Sequence, residues 1–133
     1  MEIKKAGKSD VKKLVELDQE ANKEIKWWRP MGASEFFKLI DKGLVYITEN
    51  KEGINGYINA KISDKQLMLD NIYIKKEFRG QGIAKGLIKK FITRFRSSEF
   101  KDITIHCPER LRKFYEKLGF KVTALVMKKK LLL

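Results

Sequence analysis

The period of the apolar positions changes along the chain, and each change marks an element. Ile3-Lys4-Lys5-Ala6 reads as a short first strand. Asp10 suits the N-cap of a helix carrying Val11, Leu14, Val15 and Asp18 to Ala21 on successive turns. Trp27-Trp28-Arg29-Pro30 interrupts that pattern. A second helix is expected over Ser34 to Asp41, with Phe37, Leu39 and Ile40 as its apolar positions and Gly43 as its stop. Leu44 to Thr48 and Ile54 to Ile62 read as paired strands around Asn50-Lys51-Glu52-Gly53. Ser63-Asp64-Lys65 then turns into a further strand, Leu67 to Lys75.

The strongest helical signal follows. Ile83, Ala84, Leu87, Ile88, Phe91, Ile92 and Phe95 form one continuous stripe at a helical period. Asp102 to Cys107 reads as another strand, and Pro108 suits the first position of a helix with Leu111, Phe114, Tyr115 and Leu118 on one face. Gly119-Phe120 reads as a Schellman stop with its apolar follower, and Lys121 to Leu131 as a last strand or strand pair. Hairpins dominate the first half and β-α alternation the second. That order predicts an α/β (α+β) fold, a mixed and mostly antiparallel sheet with helices on both faces.

Length and composition narrow the class. A chain of 133 residues with no Pro/Gly/Ser-rich linker, repeat or low-complexity tract predicts one domain over residues 1–133. No apolar run is long enough to span a bilayer, and Met1-Glu2-Ile3-Lys4 does not read as a signal peptide, so no membrane partner is expected. The single cysteine, Cys107, forbids an internal disulfide and fits a reducing compartment, which predicts a cytoplasmic protein. A net charge of +13 favours anionic partners without choosing among nucleotides, nucleic acid, acidic peptides and membrane surfaces. A lysine-rich surface serving solubility is the plain alternative.

The charge is densest beside one loop. Between Lys75 and Arg96 there are eight basic residues and one acid, Glu77. Arg79-Gly80-Gln81-Gly82-Ile83-Ala84 links the strand ending near Lys75 to the strong helix. Such a turn leaves backbone N–H groups free at a helix N-terminus, which suits an anion. Gly80 and Gly82 admit close approach of a ligand, and Arg79 offers a planar donor fork suited to phosphate. A dinucleotide-binding turn fits poorly. Its third glycine position falls on Lys85, Asp102 opens its strand where a ribose-binding acid would close one, and the preceding strands are hairpins.

The loop, with its approach Leu69-Asp70-Asn71-Ile72-Tyr73-Ile74-Lys75-Lys76-Glu77-Phe78, resembles the GNAT superfamily of N-acetyltransferases. Arg79, Gly82 and Ala84 match that family's Arg/Gln-x-x-Gly-x-Gly/Ala signature, and Phe114-Tyr115-Glu116-Lys117-Leu118-Gly119-Phe120 is similar to its later motif. The resemblance implies acetyl-CoA as donor and cosubstrate, a primary amine as acceptor, and direct transfer in a ternary complex. It also implies a sheet splayed between the strand ending at about Lys75 and the strand 103–107. Pyrophosphate would lie on the loop from Arg79 through Gly80, Gln81, Gly82, Ile83 and Ala84 to Lys85, and pantetheine would run beside Ile72, Tyr73 and Ile74 as an added strand. Pro108 stands where many relatives carry an asparagine that contacts the cofactor.

The chemistry turns on protons. A lysine amine is less than about 0.1% neutral at pH 7 and an α-amine roughly a tenth, so a lysine acceptor depends more on a base or on desolvation. The resemblance makes Tyr115 the proton donor to the leaving thiol; by periodicity alone it is a core tyrosine. His106 and Asp70 are the candidate bases, each with a structural role as its alternative. Trp27 and Trp28 fall where relatives border the acceptor, and they either grip it or plug the core. Cys107 cannot readily pair with the adjacent His106 on a strand, and is expected to be a small buried thiol. No metal-ligand spacing is present. The acceptor is expected to be a protein or peptide amine. A small-molecule amine, a non-catalytic CoA-binding module and a nucleic-acid-binding module are the alternatives, nucleic acid being less favoured, with the chain a monomer or homodimer.

Overall fold

In a computed structural model that describes residues 1–132, the sheet has five strands in sequence order. They are β1 (Glu2–Lys5), β2 (Val45–Asn50), β3 (Gly53–Ser63), β4 (Gln66–Ile74) and β5 (Ile103–Ile105). The first four pair antiparallel, and β4 pairs parallel with β5. The helices are α1 (Val11–Glu24), α2 (Ala33–Asp41), α3 (Ile83–Phe95) and α4 (Arg112–Lys117).

Alternation along the strands loads both faces of the sheet, which is why each face carries helices. One face buries Tyr57, Ile47 and Tyr73 with Leu14, Leu17 and Phe36 of α1 and α2. The other buries Ile58, Leu69 and Ile74 with Leu87, Ile88 and Phe91 of α3 and Tyr115 of α4. In α2 the core residues are Phe36 and Ile40, while Phe37, expected inside, is 43% exposed. Asp10 occupies the N-cap position of α1 as expected, but its side chain makes no bond to the helix; its carboxylate accepts the Gly7 N–H at 2.8 Å and closes the short 3₁₀ turn before the helix.

A bulge in β4 decides the geometry that matters for function. Asn59 pairs with Asn71 but Ala60 pairs with Leu69, so Asp70 is an extra residue on its strand. The insertion shifts the side-chain parity. Leu67 and Leu69 face the α3 side before it, and Ile72 and Ile74 face the same side after it. The β4–β5 ladder ends at the same place, running only from Leu67–Ile103 to Leu69–Ile105. Beyond it, residues 70–74 have lost their β5 partner, so the expected splay is present.

The C-terminal segment differs from expectation. Lys121 to Leu131 forms no strand, and Leu125, Val126 and Met127 are more than four-fifths exposed. A β-prone segment becomes a strand only when an edge receives it, and β5 is three residues long. The Schellman stop before it does form: Gly119 N–H donates to Glu116 and Phe120 N–H to Tyr115, with Gly119 at φ +96°.

Asp18 ties α1 to the sheet. It is fully buried and accepts three hydrogen bonds, from Trp28 Nε1 at 2.8 Å, Tyr57 Oη at 2.9 Å and the Met31 N–H at 2.6 Å. Burial, then the Asp18 charge, pushes the Tyr57 hydroxyl pKa well above its ordinary value. Asp18→Ala strands three donors and is expected to lower stability by about 3–5 kcal/mol. Urea denaturation checks this, and a loss below about 1 kcal/mol would show that the donors find other partners.

Candidate active site

The loop between β4 and α3 forms its turn through backbone conformation. Gly80 and Gly82 stand at φ +80° and +78°, the left-handed region that side chains disfavour. An added Cβ would meet nothing within 4 Å at either position, so the turn demands glycine for its dihedral angles and not for crowding. Gly82 is the N-cap of α3, and the first helical carbonyl bond runs from Gly86 N–H to Gly82. Among the described residues the amides from Gly80 to Lys85 have no backbone acceptor, as the start of a helix requires. They border a cleft of about 280 Å³ lined by Ile74, Phe78, Arg79, Ile83, Lys85 and Phe114, among others. Unpaired amides, two glycines and a lysine at an open cleft fit the diphosphate of a nucleotide.

Arg79 does not offer its fork to that cleft. Its Nε donates to the Ile74 carbonyl at 2.8 Å, and its two terminal nitrogens grip Glu24 of α1 at 2.6 and 2.9 Å. The guanidinium also lies 5.4 Å from the Tyr73 ring centre, and the Tyr73 hydroxyl donates to Glu24 at 3.0 Å. The Arg79 hydrogen bond holds the Glu24 carboxyl below its usual range, and Glu24 raises the guanidinium in turn. The Arg79 side chain, expected on phosphate from its charge, has both arms held by a carboxylate in this structure. Glu24 was invisible to sequence reading, since nothing in its helix marks a partner 55 positions away.

The split between β4 and β5 orders the remaining candidates. Leu69–Ile105 is the last pair, so Asp70 and His106 are the next residues along the two diverging strands. Asp70 turns toward the α1–α2 connection, where Arg29 Nη2 lies 3.4 Å from its carboxylate, and Lys61 Nζ of β3 lies 3.7 Å from it. His106 is exposed and makes no hydrogen bond among the described residues. Near them Asn59 Oδ1 and Asn71 Nδ2, on paired residues at the bulge, are buried without partners. Ile72 and Ile74 pack toward α3, while Tyr73 faces α1; at all three the backbone runs along the split edge.

Tyr115 is 5% exposed, with Phe114 and Phe120 rings edge-on at 5.0 and 5.6 Å. Burial, and then neighbouring Cys107, pushes its hydroxyl up to about 12, so it is protonated at neutral pH. Cys107 is exposed, not the buried thiol expected, because it follows β5 after the ladder has ended. The tryptophans separate. Trp28 is 6% exposed, bound to Asp18 and set edge-on to Tyr73 at 6.0 Å, so it packs in the core. Trp27 is 63% exposed beside it. Among the described residues no three His, Cys, Asp or Glu side chains converge as a metal site, and no helix is long and apolar enough to cross a membrane.

The split strand and the amide-lined turn form an architecture suited to an extended cofactor that carries a diphosphate. The sequence matches the family model for the acetyltransferase (GNAT) domain over residues 16–132, and the chain belongs to that family. A predicted acetyltransferase from Clostridium acetobutylicum, solved with acetyl-CoA, is 19% identical, with 98% of this chain and 96% of that one covered and a TM-score of 0.74. Glucosamine-6-phosphate N-acetyltransferase from Arabidopsis thaliana is 16% identical, with 98% and 97% covered and a TM-score of 0.72. A ribosomal-protein-alanine N-acetyltransferase from Brucella melitensis biovar Abortus 2308 is 16% identical, with 97% and 100% covered and a TM-score of 0.69. No curated protein matches the chain significantly.

Gly82→Val forces a β-branched residue into the left-handed region at the cap of α3 and should cost about 1–2 kcal/mol. Chemical denaturation reads this directly; unchanged stability would show that the turn does not require φ +78°.

Proposed function

We propose that residues 1–133 form one N-acetyltransferase domain that moves an acetyl group from acetyl-CoA to the amine of a protein or peptide. The observation that carries this reading is the line from the split at Asp70 and His106, past residues 72–74, to the free amides of 80–85. An extended pantetheine arm can add to the unpaired edge of β4 as a strand would, with the diphosphate on the turn. Ile72, Tyr73 and Ile74 bind through their backbones, and Gly80, Gln81, Gly82, Ile83 and Ala84 through their amides. Lys85 lines the same cleft and adds positive charge.

When bound, the thioester supplies an activated carbonyl and a thiol leaving group. The chain supplies orientation and protons. Tyr115 holds its proton at neutral pH and gives it to the departing sulfur. Asp70 is the favoured base, because the bulge turns it toward the α1–α2 connection, where Arg29 and Trp27 are exposed for an acceptor. Arg29 and Lys61 hold its carboxylate at the opening of the split. His106, on the opposite strand of the opening, is the second base candidate. The exposure of Trp27 and Arg29 on this side supports a macromolecular amine over a small one. The Brucella and Arabidopsis neighbours carry names of both kinds, so likeness does not choose.

CoA at a hundredfold excess over its Kd should stabilise the chain by about 2.7 kcal/mol, read as a rise in melting temperature. Thiol release with peptides bearing free N-termini or lysines should exceed that with small amines; release only with small amines would overturn the acceptor class. Tyr115→Phe should lower kcat by about 10²-fold or more with the Kd for CoA unchanged. Its hydroxyl titrates near 12, above the ordinary 10.0, so turnover should show no alkaline fall from this group between pH 8 and 10. A wild-type fall in that window that Tyr115→Phe abolishes would contradict the shifted pKa.

A further inference from the structure

We propose that Glu24 is a positioning residue for the cofactor turn, acting through Arg79. The inference rests on the CoA reading above. Arg79 is the first residue of the turn, and three separate contacts fix its side chain. Nε closes on the carbonyl of Ile74, the last residue of β4. The terminal nitrogens close on both oxygens of Glu24, in the last turn of α1. The guanidinium faces the Tyr73 ring, whose hydroxyl shares the Glu24 carboxylate. The bidentate fork gives this pair a defined direction, which a lysine could not supply. It joins the end of β4, the end of α1 and the start of the turn at one point.

The consequence is a division of labour within the motif. The arginine holds the turn in place, and the amides and Lys85 meet the anion. The same carboxylate connects to the acceptor side: Tyr73 stands edge-on to Trp28, next to exposed Trp27. One carboxylate, from outside the motif, holds both the Arg79 fork and the Tyr73 hydroxyl.

Simple electrostatics and positioning predict opposite signs for the loss of Glu24. Glu24→Gln removes a negative charge near a diphosphate site, so if charge alone mattered CoA would bind more tightly. If Glu24 positions the turn, CoA binds more weakly, by about tenfold. The test is calorimetric titration of CoA into wild type, Glu24→Gln, Arg79→Met and the double variant, each verified as folded by circular dichroism. The expected result is a similar loss for both single variants and a double variant no worse than the poorer of them, since both break one clamp. In turnover, KM for acetyl-CoA should rise in Glu24→Gln, while kcat at saturation and KM for the acceptor stay within about twofold. Unchanged or tighter binding by Glu24→Gln, or additive losses in the double variant, overturns the inference while leaving the CoA reading intact. Absence of binding to wild type removes that reading, and this inference with it.

Discussion

The structure depends on where a parallel strand pair stops. β4 and β5 share three residue pairs, and the ladder ends as the bulge at Asp70 begins. A strand that simply bent away would expose half of its apolar side chains or bury the wrong ones. The extra residue avoids this by resetting the parity, so Ile72 and Ile74 rejoin the face served by Leu67 and Leu69. The cores on both faces therefore persist while one backbone edge opens. An unpaired edge inside a sheet is normally a liability, because its N–H and C=O groups lack partners. A ligand with amide groups in an extended arm can supply those partners, which makes the opening useful.

Charge is distributed on the same plan. The chain carries +13 overall, yet its best-placed arginine is neutralised by an internal carboxylate. Attraction of an anionic cofactor then rests on fixed amide dipoles and on the flanking lysines, which act at longer range. At the other end of the opening Asp70 is held between Arg29 and Lys61. Both ends thus use ion pairs to hold geometry.

Much of this was legible in the residues. The apolar stripe of α3, the glycines of the turn and the Gly119-Phe120 stop each carry a local physical rule, and each element formed where its rule put it. The two motifs that marked the family are local as well. Other features escaped because they depend on partners distant in the chain. Phe36 and Phe37 are adjacent aromatics, and only the packing of α2 decides which is inside. Trp27 and Trp28 pose the same question, answered by Asp18, which lies a helix away and takes the Trp28 indole. Lys121 to Leu131 has the composition of a strand, but no strand forms without an edge to receive it.

The sequence by itself determined the element order, the amide-rich turn and the family, since these follow from period, from glycine's freedom and from contiguous motif. Tertiary structure alone decided that Arg79 serves Glu24, that Trp28 is core, and that Asp70 and His106 flank one opening. Those are contacts between side chains far apart in the chain, and no local pattern of residues encodes which of many charged or aromatic partners will meet. The fold settles them by bringing the end of α1, the bulge of β4 and the end of β5 around a single split.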